Sequence, residues 1–234
     1  MTTEHLHPHH ESHDYVAANQ QFFDGRAETM DEFPGAKEMA KRVVRAMVSK
    51  YPPLFNEDTT TAMDYACGNG LISRELCPHV KSIVGVDISQ GVVDQYNLRA
   101  SNQGLEPTEM KAIRAELKGE DTELDGTKFD IIVCSAAYHH FPSVDDTTRI
   151  LTSFLKPGGS LLVADLMKKD DGREIFAKDH HHVVAHTAGF GEEDMRQIFT
   201  KAGLVNFDFS HITAVKLHGN DMDVFLARGV KPVQ

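Results

Sequence analysis

The sequence lacks the features of a membrane-bound or secreted protein. No apolar run among its 234 residues approaches the length of a membrane-spanning helix. The N-terminus is polar and rich in histidine, without the basic and then apolar segments of a secretion signal. The three cysteines, Cys67, Cys77 and Cys134, are odd in number and have no metal-like spacing. We therefore expect a cytoplasmic protein that sits in a reducing compartment and does not associate with membranes.

Positive charge is also scarce. The formal net charge is −11, and such a surface repels the phosphates of nucleic acids, so we expect no nucleic-acid partner. The apolar fraction of 41% and the charged fraction of 25% are typical of globular proteins. A chain of this length can form one domain with a sizeable core. Oligomeric state leaves no mark in the sequence.

The sequence divides into a tail, a helical segment and a core in which strand-like and helical patterns alternate. Residues 1–13 are predicted to be a disordered, His-rich tail. Apolar residues at helical spacing predict helices within residues 14–53, which we expect to cap the core. The core is predicted over residues 60–234, and cap and core together form one domain, residues 14–234.

Apolar strand-like runs alternate with helical patterns through the core. The strands are predicted at residues 62–65, 82–87, 111–115, 129–136 and 160–167. Continuous apolar runs, each followed by a helix, indicate a parallel sheet covered on both faces. The last two strands, "VNFDFSHI" and "DVFLAR", have no helical pattern between them and should form an antiparallel hairpin at one edge. The predicted fold is therefore α/β, with a doubly wound and mostly parallel sheet.

A turn of small residues, "DYACGNG", follows the first predicted strand and precedes a helix. In an open parallel sheet, ligands bind beyond the carboxyl ends of the strands, next to helix N-termini. Gly68 and Gly70 let the backbone approach a ligand closely. Asp87 ends the second strand, where a carboxylate can accept hydrogen bonds from both hydroxyls of an adenosine ribose. These positions predict a nucleotide-like cofactor.

Two cofactors fit this pattern. A dinucleotide usually requires G-x-G-x-x-G, but Ser73 stands at the position of the third glycine. Asp64, an acid at the end of the first strand, is unfavourable beside a pyrophosphate but suits a positively charged amino group. S-adenosylmethionine carries such a group as well as a sulfonium, so the pattern favours S-adenosylmethionine over a dinucleotide.

Four motifs in order resemble those of the class I S-adenosylmethionine-dependent methyltransferases. They are "MDYACGNG", "VGVDIS", "FDIIVCSAAYHHF" and "LKPGGSLLVAD", and the resemblance extends from about residue 14 to residue 228. The chain is most similar to the small-molecule branch that includes the ubiquinone- and menaquinone-biosynthesis enzymes. The resemblance implies a Rossmann-like fold, S-adenosylmethionine as the cofactor and methyl transfer as the reaction. The sequence departs from the family at Ala66, which replaces the first glycine of the turn.

The resemblance also implies which residues bind the cofactor. Asp64 and the glycine turn would hold the methionine end, and Asp87 would hold the ribose. Tyr15 and Arg26 could close over the cofactor, or could lie elsewhere, because N-terminal helices vary in what they contact. Glu116 could equally be a solvated side chain. The predicted cofactor-binding residues are Tyr15, Arg26, Asp64, Ala66, Gly68, Asn69, Gly70, Asp87, Ile88, Ala115, Glu116 and Ser135.

The predicted catalytic residues are His139, His140 and Asp165. A general base is required only when the methyl acceptor is protonated and weakly acidic. Both histidines follow the fourth strand and Asp165 ends the fifth, so a His–Asp pair from neighbouring strand ends could form a base with a fixed tautomer. Alternatively, the two histidines pack and anchor the loop, as this pair does widely in the superfamily.

No metal site is predicted. The segment with His180, His181, His182 and His186 could line an acceptor pocket, bind a metal or decorate a helix, on which His182 and His186 would share a face. No H-E-x-x-H pattern is present. Ser135 and two alanines stand where a magnesium-binding acid would follow the fourth strand.

The favoured interpretation is an enzyme that moves a methyl group from S-adenosylmethionine to a small-molecule acceptor, with oxygen slightly favoured over nitrogen or sulfur. One alternative is a protein or RNA methyltransferase. The negative charge opposes RNA, and the Asn/Asp-Pro-Pro-Tyr/Phe motif of N-methylating enzymes is absent after the fourth strand. Another alternative is a non-catalytic, methyltransferase-like partner protein, although such proteins often lose the acids that stand here as Asp64 and Asp87.

Overall fold

The computed structural model describes residues 13–217 and 220–233, so nearly all of the predicted tail lies outside the described residues. Within them, seven strands form one sheet in the order β3-β2-β1-β4-β5-β7-β6. The strands β1 to β5 are parallel, and β7 runs antiparallel to both β5 and β6. This confirms the predicted mostly parallel sheet with an antiparallel hairpin at its edge. The strands are β1 Thr61–Tyr65, β2 Ser82–Asp87, β3 Met110–Arg114, β4 Phe129–Ser135, β5 Leu155–Leu166, β6 Val205–Leu217 and β7 Asn220–Val230.

Some of the helices begin at a residue whose side chain accepts a hydrogen bond from one of the first free amides. Asp14 accepts a hydrogen bond from the Ala17 amide at the start of α1, and Ser89 accepts one from the Val92 amide at the start of α4. The α-helices are α1 Tyr15–Asp24, α2 Ala36–Lys50, α3 Leu71–Leu76, α4 Gln90–Asn102, α5 Val144–Phe154 and α6 Glu192–Lys201. None of the described helices is both long and apolar enough to cross a membrane.

The sheet is covered on both faces, as its continuous apolar strands predict. On one face, α2 and α3 pack against side chains such as Ala62 and Ile131. On the other, α5 and α6 pack against Met63 and Ile132, which are the next residues along the same two strands. Successive side chains of a strand point to opposite faces. Both layers are apolar, so burial of these side chains holds the strand ends in fixed positions.

The strand β5 begins at Leu155, five residues earlier than predicted. The sequence "KPGG" was expected to separate a helix from the strand, but it lies within β5 instead. Gly158 has φ +79°, and the pairing shifts from Phe129 with Leu155 to Ile131 with Ser160. The proline and the two glycines therefore form an irregularity in the strand.

The His-rich segment after β5 does not form the α-helix that would place His182 and His186 on one face. Lys178–His180 is a single 3-10 turn, and turns follow it. The amides of Ala185 and His186 instead donate to the main-chain oxygen of His139. These bonds hold the segment against the residues that follow β4, so pairing with that loop replaces helical hydrogen bonding.

Candidate active site

A cavity of about 400 Å³ lies at the carboxyl ends of the parallel strands. That volume falls within the usual range for small-molecule sites. Ten of the twelve predicted cofactor-binding residues line it: Tyr15, Asp64, Ala66, Gly68, Asn69, Asp87, Ile88, Ala115, Glu116 and Ser135. Gly70 and Arg26 are not part of the lining. The predicted residues from β1, β2, β3 and β4 are therefore brought together around one space.

The glycine turn after β1 is tied to the end of β2. The Gly68 amide donates to Oδ2 of Asp87 at 3.0 Å, and the Ser89 amide donates to Oδ1 at 3.0 Å. Burial raises the pKa of Asp87, and these amide bonds oppose that rise. Each carboxylate oxygen keeps a further lone pair that can accept a ligand hydroxyl.

Gly70 shapes the turn without lining the cavity. It has φ +87°, and a Cβ atom at this position would lie 2.8 Å from the ring of buried Tyr96. Only glycine combines this backbone conformation with such close packing. Its contribution is thus to the shape of the turn, while Gly68, with φ +52°, lines the cavity.

Asp64 is a buried carboxyl beside the turn. Its side chain accepts a hydrogen bond from Ser73 Oγ at 2.6 Å, and the residue is 2% exposed. Burial raises its pKa to about 7, the hydrogen bond from Ser73 opposes this and the charge of Asp87 adds to it. A cationic ligand group placed beside Asp64 would favour the ionised form.

Asn69 supplies a donor at the same end of the cavity. Its Nδ2 atom is buried and has no hydrogen-bond partner among the described residues. An unpaired buried donor is unfavourable, so this atom suits a ligand carboxylate. Asp64 for an amino group, Asn69 for a carboxylate and Asp87 for ribose hydroxyls together match the polar groups of S-adenosylmethionine.

The N-terminal helices form much of the remaining wall, and the sequence did not single out most of their lining residues. Asn19 and Phe23 stand four and eight residues after Tyr15, so the helical period places them on the same face of α1. That spacing is the signal that could have found them. Lining residues outside the predicted set also include Met30, Phe33, Met39 and Phe141.

Polar contacts fasten this helical segment to the core. The Asp24 carboxylate accepts from Ser89 Oγ and from the Gly91 amide at the start of α4. Asp31 forms ion pairs with Arg74 at 2.8 Å and with Arg99 at 3.4 Å. Because α3 and α4 carry these arginines, the segment is held to both helices that begin at the cavity.

Arg26 lies outside the cavity. Its guanidinium packs over the Phe22 ring, 3.9 Å from the ring centroid, and donates a long hydrogen bond of 3.4 Å to the Phe22 oxygen. Its predicted role toward the cofactor stays a prediction, without a supporting contact in this arrangement.

His139 and Asp165 form a buried pair, as the neighbouring strand ends led us to expect. Nδ1 of His139 lies 2.7 Å from Oδ1 of Asp165, and the Leu166 amide also donates to that oxygen. Burial raises the pKa of Asp165, but His139 and the amide bonds outweigh it and lower the value. His139 stacks on Phe176 with ring centroids 4.6 Å apart. Neither member of the pair lines the cavity.

His140 is the predicted catalytic residue that lines the cavity. Nδ1 of His140 lies 2.6 Å from the Val183 oxygen, so this nitrogen carries the proton and donates. Burial and the neighbouring His139 lower the pKa of His140 to about 3. The ring is therefore neutral at physiological pH, and Nε2 keeps its lone pair as a hydrogen-bond acceptor.

None of the histidines of the 180–186 segment lines the cavity, and their contacts are with main-chain oxygens, carboxylates and aromatic rings. His186 Nε2 lies 3.0 Å from the Phe141 oxygen, and the His182 ring packs against Phe22. Within the part of the chain that the structure describes, no group of three or more His, Cys, Asp or Glu side chains could hold a metal ion.

Comparison with known sequences gives a family. Residues 56–203 match a family described as "Methyltransferase domain", which is more than half of the chain. An uncharacterized methyltransferase of Schizosaccharomyces pombe is 39% identical over 154 residues, which cover 62% of this chain and 53% of that protein. A ubiquinone biosynthesis O-methyltransferase of Coxiella burnetii is 29% identical over 107 residues, covering 44% and 42% of the two chains. The chain thus matches about half the length of these relatives.

Solved structures agree on the fold. N-methyltransferase NodS from Bradyrhizobium japonicum, in complex with S-adenosyl-L-homocysteine, superposes with a TM-score of 0.64 at 15% identity, over 92% of this chain and 99% of that chain. YcgJ from Bacillus subtilis gives a TM-score of 0.64 at 17% identity, over 81% and 98%. The family match covers the residues that build the cavity from the glycine turn to His140. The chain therefore belongs to the methyltransferase domain family.

Proposed function

We propose that this chain transfers a methyl group from S-adenosylmethionine to a small-molecule acceptor, with oxygen favoured as the accepting atom. The observation that carries the proposal is a single cavity that joins cofactor-type groups at the strand ends to an apolar wall around His140. The cover formed by α1 and α2 supports a small acceptor over a protein or an RNA. One relative is named an O-methyltransferase, which agrees with the choice of oxygen.

The chain's own residues hold and orient the cofactor. Asp64 would hold its amino group, Asn69 its carboxylate and Asp87 its ribose. When bound, S-adenosylmethionine supplies an electrophilic methyl group on a sulfonium sulfur, which departs as a neutral thioether. Because the leaving group is good, alignment of the acceptor atom supplies much of the acceleration.

His140 orients the acceptor. Its neutral ring has its proton fixed on Nδ1 by the Val183 oxygen, so Nε2 accepts a hydrogen bond from an acceptor hydroxyl. A pKa of about 3 makes this ring a weak base, so its contribution is to position the hydroxyl and its proton. Asp165 orients the ring of His139, and the centroid of that ring lies 4.2 Å from the centroid of the His140 ring.

We also propose the domain arrangement. Residues 14–53 are a helical cap on a core that spans residues 60–234, and the two form one methyltransferase domain. The apolar side of α2 supports this, because Val43 and Met47 are buried against the core layer that contains β1.

The proposal is tested by a methyl-transfer screen over phenols, thiols, amines and carboxylates that measures release of S-adenosylhomocysteine.

Calorimetry should show binding of S-adenosylmethionine, weakened by about tenfold or more in Asp87→Ala because the ribose loses its acceptor. Asp94→Ala, an exposed acid on α4, is the matched control and should bind as the wild type does. Tight binding of NAD with no binding of S-adenosylmethionine would contradict the proposal.

A further inference from the structure

Ser73 is a buried polar residue beside the candidate site that the proposed function does not use. It stands where a dinucleotide-binding turn has its third glycine, and it is 0% exposed. A glycine at that position permits close packing of the helix on the strand. Here the close packing brings a hydroxyl of α3 against the end of β1, where Ser73 Oγ lies 2.6 Å from Oδ2 of Asp64.

The other groups around Asp64 either oppose its charge or carry none. Asp64 is 2% exposed, and burial together with the Asp87 carboxylate of β2 raises its pKa. Three further titratable groups act on this region: Cys67 of the glycine turn, Cys134 of β4 and Tyr96 of α4. Burial raises the pKa of each of them, so all three are neutral and none offsets the charge of Asp64.

No cation offsets that charge either. Among the described residues, no lysine, arginine or histidine forms an ion pair with Asp64, and Arg74 of α3 pairs with Asp31 instead. The hydroxyl and the amide of Ser73 are the groups that lower the pKa of Asp64. A hydrogen bond donated to a carboxylate favours its ionised form, so loss of this hydroxyl would favour the protonated form.

A cationic ligand group requires the ionised form of Asp64. The residue lines the cavity, and a carboxylate has about four lone-pair sites, so the bonds from Ser73 leave others for a ligand. Because the pKa of Asp64 is about 7, a proton and a ligand ammonium compete for this carboxyl near neutral pH. The hydrogen bond from Ser73 therefore sets the pH above which an ammonium binds well.

We propose that Ser73 is a positioning residue for the cofactor, because its hydroxyl holds the Asp64 carboxyl in the orientation and the ionised form that receive a cationic amino group. This inference rests on the proposed function. Ser73 acts through Asp64, since it does not itself line the cavity. The residue that departs from the dinucleotide-binding motif thereby adapts the turn to a cofactor that carries an amino acid.

The test is calorimetric titration of the whole protein with S-adenosylhomocysteine at pH 6, 7 and 8.5. We expect Ser73→Ala to weaken binding about tenfold at pH 6 and about twofold or less at pH 8.5, because the variant raises the pKa of Asp64 and the loss fades where both proteins are ionised. The amino group of the ligand titrates equally in both titrations, so it cancels from the ratio of affinities.

Two controls isolate the amino group and the hydroxyl. 5′-Methylthioadenosine has the nucleoside and the thioether but no amino acid, so it should bind equally to the wild type and to Ser73→Ala at each pH. Ser160→Ala removes an equally buried hydroxyl in β5, outside the cavity lining, and should leave the affinity for S-adenosylhomocysteine unchanged.

Three outcomes overturn the inference. The first is a loss in Ser73→Ala that is the same at every pH, which would indicate a change in the shape of the turn. The others are unchanged affinity at pH 6 and an equal loss for 5′-methylthioadenosine. If Ser73→Ala fails to fold, Ser73→Cys, whose thiol is similar in size and a weak donor, gives the same readout. Failure of the wild type to bind S-adenosylhomocysteine at any pH would reject the proposed function itself.

Discussion

At the scale of single residues, Asp64 shows how a buried carboxyl in the candidate site lowers the stability of the fold. Its pKa of about 7 lies above the ordinary value of 3.8, so the folded chain holds a proton that the unfolded chain has released. A group with a raised pKa contributes stability at low pH that is lost as the pH rises to the folded value. The free energy of unfolding should therefore fall between pH 4 and pH 7 on account of this residue.

The variant Asp64→Asn should remove that loss. The amide oxygen can still accept from Ser73, but no buried charge forms, so we expect the free energy of unfolding at pH 8 to rise by about 1–3 kcal/mol, with little change at pH 4. Urea unfolding at pH 4, 6 and 8 measures this, with exposed Asp94→Asn as the control. Binding of S-adenosylmethionine should weaken in the same variant. If Asp64→Asn instead has a lower free energy of unfolding than the wild type at pH 8, the fold stabilises the ionised carboxylate of Asp64 through its hydrogen bonds, and the prediction is wrong.

Ala66 lowers the stability of the fold in a different way, through backbone strain. It takes the place of a family glycine and has φ +54°, a left-handed conformation that costs a residue with a Cβ atom roughly 1–2 kcal/mol. We expect Ala66→Gly to raise the free energy of unfolding by about 0.5–1 kcal/mol, since the greater freedom of unfolded glycine offsets part of the relief. Ala115→Gly is the control, because Ala115 does not have a positive φ, and it should lower stability. Equal losses in both variants would contradict the strain at Ala66.

At the scale of elements, the segment between α1 and α2 is joined to α3 and α4 through one carboxylate. Asp31 is partly buried and pairs with Arg74 and Arg99, and its loss would leave two partly buried cations without a counter-ion. Since this segment covers the cavity, the cost should appear in ligand binding.

We expect Asp31→Ala to weaken S-adenosylhomocysteine about tenfold and to increase hydrogen exchange over residues 26–35. Calorimetry and exchange mass spectrometry measure the two effects. Glu32→Ala, at the next and exposed position, should change neither. If Asp31→Ala lowers the free energy of unfolding but leaves affinity and exchange unchanged, the ion pairs stabilise the fold without controlling the cover.

At the scale of the whole molecule, the sequence predicts what is encoded locally. The apolar runs that form the strands and the glycine turn are each contiguous in the sequence. Apolar patterning and spacing therefore predicted the sheet and its edge hairpin, and ten of the twelve residues predicted to bind a cofactor line one cavity. The pairing of His139 with Asp165 followed from neighbouring strand ends in the same way. Their catalytic role stays a prediction, because the pair lies behind His140 rather than in the cavity lining.

What the sequence did not predict depends on contacts between distant parts of the chain. Met30 and Met39 line the cavity because Asp24 and Asp31 dock their segment onto α3 and α4, and no local motif marks those partners. The spacing of His182 and His186 suggested a helix, but amide bonds to the His139 oxygen decided their placement. Long-range polar contacts thus determine the position of the cap and the conformation of the His-rich segment, which the periodicity of the sequence does not predict.

The oxygen of Val183 has a consequence for how the site can change over time. It belongs to the main chain, so any residue at position 183 would present the same atom to Asn19 and His140. Apolar side chains of the wall can be exchanged for larger or smaller ones without turning the amide or moving the imidazole proton. Substitutions along this wall can therefore change the size of the cavity in single steps, while the main chain keeps the imidazole proton of His140 in place.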